Sequence, residues 1–121
     1  MNDINNLALA FVGDAVYEVY VRKYLVKKGL VKVNDLQKEA TKYVSAKGQA
    51  KILESFVNSN VLTELELDVV RKGRNSKGHR APKNTDISTY RYSTGFETLV
   101  GYLYYNDINR LDYLMNLVME G

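Results

Sequence analysis

Three carboxylates stand out because their neighbours carry so little charge. Asp14 and Glu18 are the only charged residues in LALAFVGDAVYEVY, residues 7–20, and they sit four residues apart. Glu97 is the only charge in YSTGFETLVGYL, residues 92–103. On a helix, like charges at i and i+4 share a face and repel by about 0.2–0.5 kcal/mol even in water. An unpaired carboxylate on a mostly buried helix costs several times more. A basic partner, a shared proton or a bound cation must offset that cost. Small residues, Ser93 and Gly101, lie one turn either side of Glu97, so this helix can approach another backbone closely. If that backbone is the first helix near Gly13 and Ala15, Glu97 comes close to Asp14. Two or three carboxylates converging in an apolar setting suit a hard cation such as Mg²⁺, which takes one or two protein carboxylates and completes its shell with water and phosphate oxygens. Ordinary alternatives stay open: Asp14 as an N-cap of a helix beginning at Ala15, Glu97 paired with Arg22 or Lys23, and Glu18 facing solvent.

The elements that must position these groups read as helices throughout. A first helix is expected over residues 6–28, with Gly29 as its stop. Asn34 can cap a second, over 35–44, and Ser45 a third, over 46–57, with Ala50, Leu53 and Val57 on one face. Asn58, Ser59 and Asn60 form a turn. Thr63 opens a capping-box pattern for a helix over 64–72, with Leu65, Val69 and Lys72 on one side. Asp86 or Ser88 caps a long helix reaching residue 105. Asp107 caps the last, through residue 119, with Ile108, Leu111, Leu114, Met115 and Val118 as its apolar stripe. No alternating strand pattern, repeat or linker is present. The expectation is one all-α domain of about six helices spanning residues 1–121. Of ten tyrosines, eight fall in the two carboxylate-bearing helices, as expected if those helices pack together.

Composition narrows the class. The 121 residues are 45% hydrophobic, enough for one domain with a real core. Absence of cysteine excludes a disulfide scaffold and a thiolate metal site. No segment has the pattern of a signal peptide, and no apolar run reaches the ~18–20 residues that span a bilayer. A soluble cytoplasmic protein with no membrane partner is expected. Net charge is +3, yet residues 71–83 hold six basic residues (Arg71, Lys72, Arg74, Lys77, Arg80, Lys83) and no acid, which leaves the remainder at −3. An acidic body with one basic segment suggests a polyanion contact there; a solvated loop is the plainer alternative.

Two strings now carry a resemblance. Residues 7–18, LALAFVGDAVYE, resemble the signature helix of the ribonuclease III family, whose core reads roughly E-F-L-G-D-A-V-L-E. Residues 94–104, TGFETLVGYLY, resemble the family's second motif, D-A-F-E-A-L-I-G-A-I-Y. The order and separation agree, and the break at Ser45, Ala46 and Lys47 falls where the family has one. The resemblance covers essentially the whole chain. It is closest to the short mini-ribonuclease III branch, a catalytic domain with no double-stranded-RNA-binding domain appended.

The resemblance implies an Mg²⁺-dependent endoribonuclease, a phosphodiester hydrolase that acts as a homodimer on double-stranded RNA and leaves 5′-phosphate and 3′-hydroxyl ends. For this branch it implies maturation of large-subunit (23S) ribosomal RNA precursor. By matching position, Asp14 and Glu97 are metal ligands and catalytic residues, and Phe11 belongs to the dimer contact. Glu18, one turn from Asp14, is a candidate to orient a ligand water or the Asp14 carboxylate. Arg71, Lys72, Arg74, Lys77, Arg80 and Lys83 are the expected RNA contacts, with Lys27, Lys28 and Lys32 as a second patch. His79 is a possible RNA contact but not a required base. Two departures stand out: Ala10 and Thr94 occupy positions where the longer members carry Glu and Asp. They leave open the number and affinity of bound metal ions, not the presence of a site, and they keep in view the alternative of a catalytically weak RNA-binding protein of the same fold acting in ribosome assembly. A helical protein-interaction module is a further alternative.

Overall fold

The computed structural model describes residues 5–76 and 86–120. The described residues form six helices and no strand: α1 (Asn6–Lys27), α2 (Val33–Val44), α3 (Ala46–Asn58), α4 (Glu64–Arg74), α5 (Ile87–Asn106) and α6 (Ile108–Glu120). Local chemistry explains most of the ends. The Asn5 side chain accepts from Ala8 N–H at 2.8 Å and starts α1. Gly29, at φ 107°, ends it, and Leu30 N–H reaches back to the Leu25 carbonyl. Asn60, at φ 57°, does the same after α3, with Val61 N–H bonded to Phe56. The Thr63–Glu66 capping box opens α4, and Asp86 caps α5 through Thr89 N–H.

α5 is the centre of the domain. It is buried nearly all round, from Ser93 through Leu103, and α1, α3, α4 and α6 pack about it. A helix enclosed on every side loses the one-sided apolar stripe of a surface helix. Tyr17 and Phe96 meet edge-on, with ring centroids 4.9 Å apart, in the core between α1 and α5. The other tyrosines of these helices do not form that contact. Tyr24 packs on Tyr43, Tyr20 donates to Asp112, and Tyr92, Tyr104 and Tyr105 are exposed.

Three expectations shift in register. α2 starts two residues early, at Val33, behind Lys32, which makes no side-chain cap, so Asn34 lies inside the helix. On α3 the buried positions are Gly48, Gln49, Leu53 and Phe56, while Val57 is 41% exposed. On α4 the buried face is Glu66, Val69, Val70 and Gly73, and Leu65 faces solvent. Glu66 takes an interior position because Arg110 of α6 meets it at 2.7 and 2.8 Å and also donates to the Val61 carbonyl at 2.7 Å. Burial alone would raise the Glu66 carboxyl; the bonds from Arg110 and Thr63 outweigh it and hold the group below the usual glutamate range.

α1 and α5 cross at two glycines. A Cβ on Gly13 would stand 1.8 Å from the Glu97 carbonyl oxygen, and one on Gly101 would stand 2.0 Å from the Leu9 carbonyl oxygen. Ala15, expected beside Gly13 in this contact, is exposed. Because both obstacles are helix backbone, relief requires the helices to separate. Gly101→Ala should therefore destabilise the fold by about 2 kcal/mol or more, despite the better helix propensity of alanine. Chemical unfolding measures this; an unchanged midpoint would show that the crossing tolerates a methyl group.

Candidate active site

The glycine crossing decides where the two acidic groups go. Asp14 follows Gly13 on α1, and Glu97 is the residue whose own carbonyl Gly13 touches. Both carboxylates leave the backbone at the point of closest approach and come within reach of a shared hydrogen bond. Asp14 lies in the middle of α1 and is exposed, so it is not an N-cap. Glu97 is half-buried. Its carboxyl is pushed up to about 8, first by burial, then by the charge of Asp14 and the hydrogen bond with it. No ion pair joins Glu97 to Arg22 or Lys23. Among the described residues no basic side chain pairs with either carboxylate, and their oxygens are a donor set suited to a divalent cation.

Glu18 does not join them. Its Oε1 accepts from Arg22 Nε at 3.0 Å, one turn further along α1. Among the described residues no three acidic or histidine side chains converge on one point. Ala10 and Thr94, the positions without an acid, are buried, and the Thr94 hydroxyl donates to the Tyr90 carbonyl at 3.0 Å. Phe11 is 81% exposed, and Ala15 and Val19 are exposed further along the same helix.

The basic segment begins at the end of α4. Arg71 and Lys72 both pair with Asp68, the lysine at 3.2 Å, and remain largely exposed. Arg74 lies over the Tyr92 ring, 5.4 Å from its centroid. α4 reaches α5 close to the acidic pair: a Cβ on Gly73 would touch the side chain of Thr98, the residue after Glu97. Lys77, His79, Arg80 and Lys83 lie outside the described residues. Lys27, Lys28 and Lys32 are exposed at the far end of α1 and the start of α2.

One neighbour of the pair was not singled out from the sequence. Gln49 of α3 is 1% exposed, and its Nε2 donates to Glu97 Oε2 at 3.2 Å. The available signal was register: Gln49 is a polar residue at i with Leu53 at i+4 and Phe56 at i+7, on the face of α3 that faces the core.

A carboxyl raised on folding links stability to pH. In chelator, the folded chain holds a proton on Glu97 that the unfolded chain has already lost, over the interval between the ordinary value of 4.5 and about 8. The folded state binds more protons there, so this group's contribution to stability declines as pH rises through the interval. Glu97→Gln should remove that component. Urea unfolding of both proteins in EDTA at several pH values checks it; identical pH slopes would contradict the coupling.

Known proteins are similar to this chain over most of its length. The ribonuclease III domain model matches residues 7–107. The mini-ribonuclease 3 of Streptococcus pneumoniae is 49% identical over 121 residues, covering 99% of this chain and 94% of that protein. The mini-ribonuclease 3 of Symbiobacterium thermophilum is 56% identical over 98 residues, covering 81% and 74%. A crystal structure of a Fusobacterium nucleatum protein superposes with a TM-score of 0.88 at 28% identity, covering 100% of this chain and 98% of that one. The chain therefore belongs to the ribonuclease III family, in its mini-ribonuclease III branch, and is an endoribonuclease.

Proposed function

We propose that this endoribonuclease cleaves double-stranded RNA with Mg²⁺ held by Asp14 and Glu97, leaving 5′-phosphate and 3′-hydroxyl ends. The observation that carries the reading is the convergence of Asp14 and Glu97 at the glycine crossing, where no basic side chain of the described residues pairs with them. When bound, the cation would lower the pKa of a water and polarise the phosphoryl oxygens. The chain's own part is to present carboxylate oxygens of Asp14 and Glu97 from two packed helices, and Glu97 would hold the cation in its ionised form. Glu18, engaged with Arg22, has at most an indirect part, through the charge it adds beside Asp14.

Arg71, Lys72 and Arg74, with Lys77, Arg80 and Lys83 beyond them in sequence, are read as the phosphate contacts. A duplex held this way is recognised by its A-form shape and 2′-hydroxyls rather than by base sequence. The exposed Phe11, beside Ala15 and Val19, supports a homodimer through the outer face of α1. The proposed natural substrate is a large-subunit (23S) ribosomal RNA precursor, in the cytoplasm. Among the described residues no helix is long and apolar enough to cross a membrane.

One observation favours a second reading, a catalytically weak RNA-binding protein: Ala10 and Thr94 give the site no further acid. Long double-stranded RNA incubated with and without Mg²⁺ separates the two. Cleavage should require Mg²⁺ and fall by more than ~100-fold in Asp14→Asn and in Glu97→Gln. Duplex binding with no Mg²⁺-dependent cleavage would establish the second reading. Replacing Arg74, Lys77 and Arg80 together by alanine should weaken duplex binding and flatten its dependence on salt, by up to about one unit of slope for each phosphate no longer neutralised. Filter binding over a salt series measures both; an unaltered slope would remove this segment from the interface.

A further inference from the structure

Gln49 does something that packing alone does not require. It is 1% exposed, at the start of α3, between Gly48 and Ala50. Its Nε2 donates to the Val44 carbonyl at 3.1 Å and to Glu97 Oε2 at 3.2 Å. Its Oε1 is buried and has no donor among the described residues. The two ends of the carboxamide are not interchangeable here. Turning it over would set Oε1 against two acceptors, the Val44 carbonyl and the Glu97 carboxylate, and would give up both hydrogen bonds. The observed orientation uses both N–H groups and leaves the oxygen over.

The platform behind Gln49 is rigid. Ser45 ends α2 and caps α3, its hydroxyl accepting from Gly48 N–H at 3.0 Å. A Cβ on Gly48 would lie 2.3 Å from the Lys42 carbonyl oxygen, so the two helices are folded tightly on each other at this break. Tyr17 of α1 donates its hydroxyl to the Tyr43 carbonyl at 3.0 Å and ties the same break to the helix that carries Asp14. The α2–α3 break is thus fixed to α1 through Tyr17 and to Glu97 through Gln49.

We infer that Gln49 is a positioning residue, which holds the Glu97 carboxylate by one oxygen and keeps it turned toward Asp14 for cation binding. A glutamate side chain has three rotatable bonds, and the glycine crossing fixes only where its backbone starts. Gln49 engages Oε2, so the carboxylate plane is set by a group anchored to a third element. Loss of such a support to a metal ligand lowers metal affinity by about 10–100-fold. This inference rests on Asp14 and Glu97 being the cation ligands.

The test uses the full chain and Mn²⁺ alone, without RNA, in isothermal titration calorimetry. Gln49→Met keeps the volume of the side chain and removes its donor. Its Mn²⁺ dissociation constant should rise by about 10-fold or more, with helical circular dichroism retained. On long double-stranded RNA its kcat should fall while KM stays near the wild-type value. Unchanged Mn²⁺ affinity in Gln49→Met, with binding abolished in Asp14→Asn, would overturn the role of Gln49 and leave the cation site standing. Unchanged affinity in both variants would overturn the cation site itself. Should Gln49→Met not fold, the wild-type protein answers the question by nuclear magnetic resonance. It has only two glutamines, Gln37 and Gln49. Mg²⁺ should move the side-chain amide signals of Gln49 and leave those of exposed Gln37 in place; a Gln49 signal indifferent to Mg²⁺ would overturn the inference.

Discussion

Backbone meets backbone where α1 crosses α5, and everything else in the domain is arranged about that contact. Packed helix axes usually stand 8–10 Å apart, at a spacing set by the side chains between them. At Gly13 and Gly101 no side chain intervenes, and even one Cβ would collide with a carbonyl of the other helix. Glycine inside a helix costs roughly 1 kcal/mol relative to alanine, and here that cost is incurred on both helices. The return is positional. The side chain next to Gly13 and the side chain of the residue it touches start so close together that two acids can share one site. Stability and site geometry therefore depend on one steric constraint.

The domain holds two largely enclosed glutamates and treats them in opposite ways. Glu66 receives Arg110 through both carboxylate oxygens and completes a capping box, so its charge is balanced and its carboxyl sits below the usual range. Glu97 receives one N–H from Gln49 and faces another acid, so its carboxyl is raised. Both are helix residues with apolar neighbours, and only the partner differs. A buried ion pair such as Glu66–Arg110 is already complete and has no capacity for a further ligand. The Asp14–Glu97 pair is electrostatically incomplete on its own, which is the condition that makes cation binding favourable.

The difference between the two glutamates was only partly legible in the sequence. The sparse charge around Asp14 and Glu97 marked them as groups in need of a partner, and the small residues near each allowed the helices to meet. The helix count and most ends followed from local signals such as Ser45, the Thr63–Glu66 box, Asp86 and Gly29. What failed was register on amphipathic helices where a polar residue occupies the core face. Glu66 and Gln49 both do so, because each has a partner far away in sequence, Arg110 and Glu97. Reading apolar residues alone therefore turned α4 toward Leu65 and α3 toward Val57, which are exposed. The clustering of tyrosines pointed correctly to the packing of α1 on α5, but of these tyrosines only Tyr17 makes the ring contact between the two helices, while the Tyr17 and Tyr20 hydroxyls find partners elsewhere, at the Tyr43 carbonyl and Asp112.

The two absent acids fit the same electrostatic logic. Ala10 and Thr94 are buried against packed helix, and Thr94 spends its hydroxyl on the backbone of its own helix. A carboxylate at either place would be desolvated and would add repulsion to a pair that already keeps a proton. With Glu97 ionised, the pair carries two negative charges, which one divalent cation neutralises without leaving an excess to repel the phosphates of a polyanion. Attraction over longer range then has to come from elsewhere. One described source is the end of α4, where Arg71, Lys72 and Arg74 lie on the helix that packs against α5 at Gly95 and Thr98. Asp68 compensates part of that charge, and such exposed pairs are weak enough for a phosphate to compete for the same side chains.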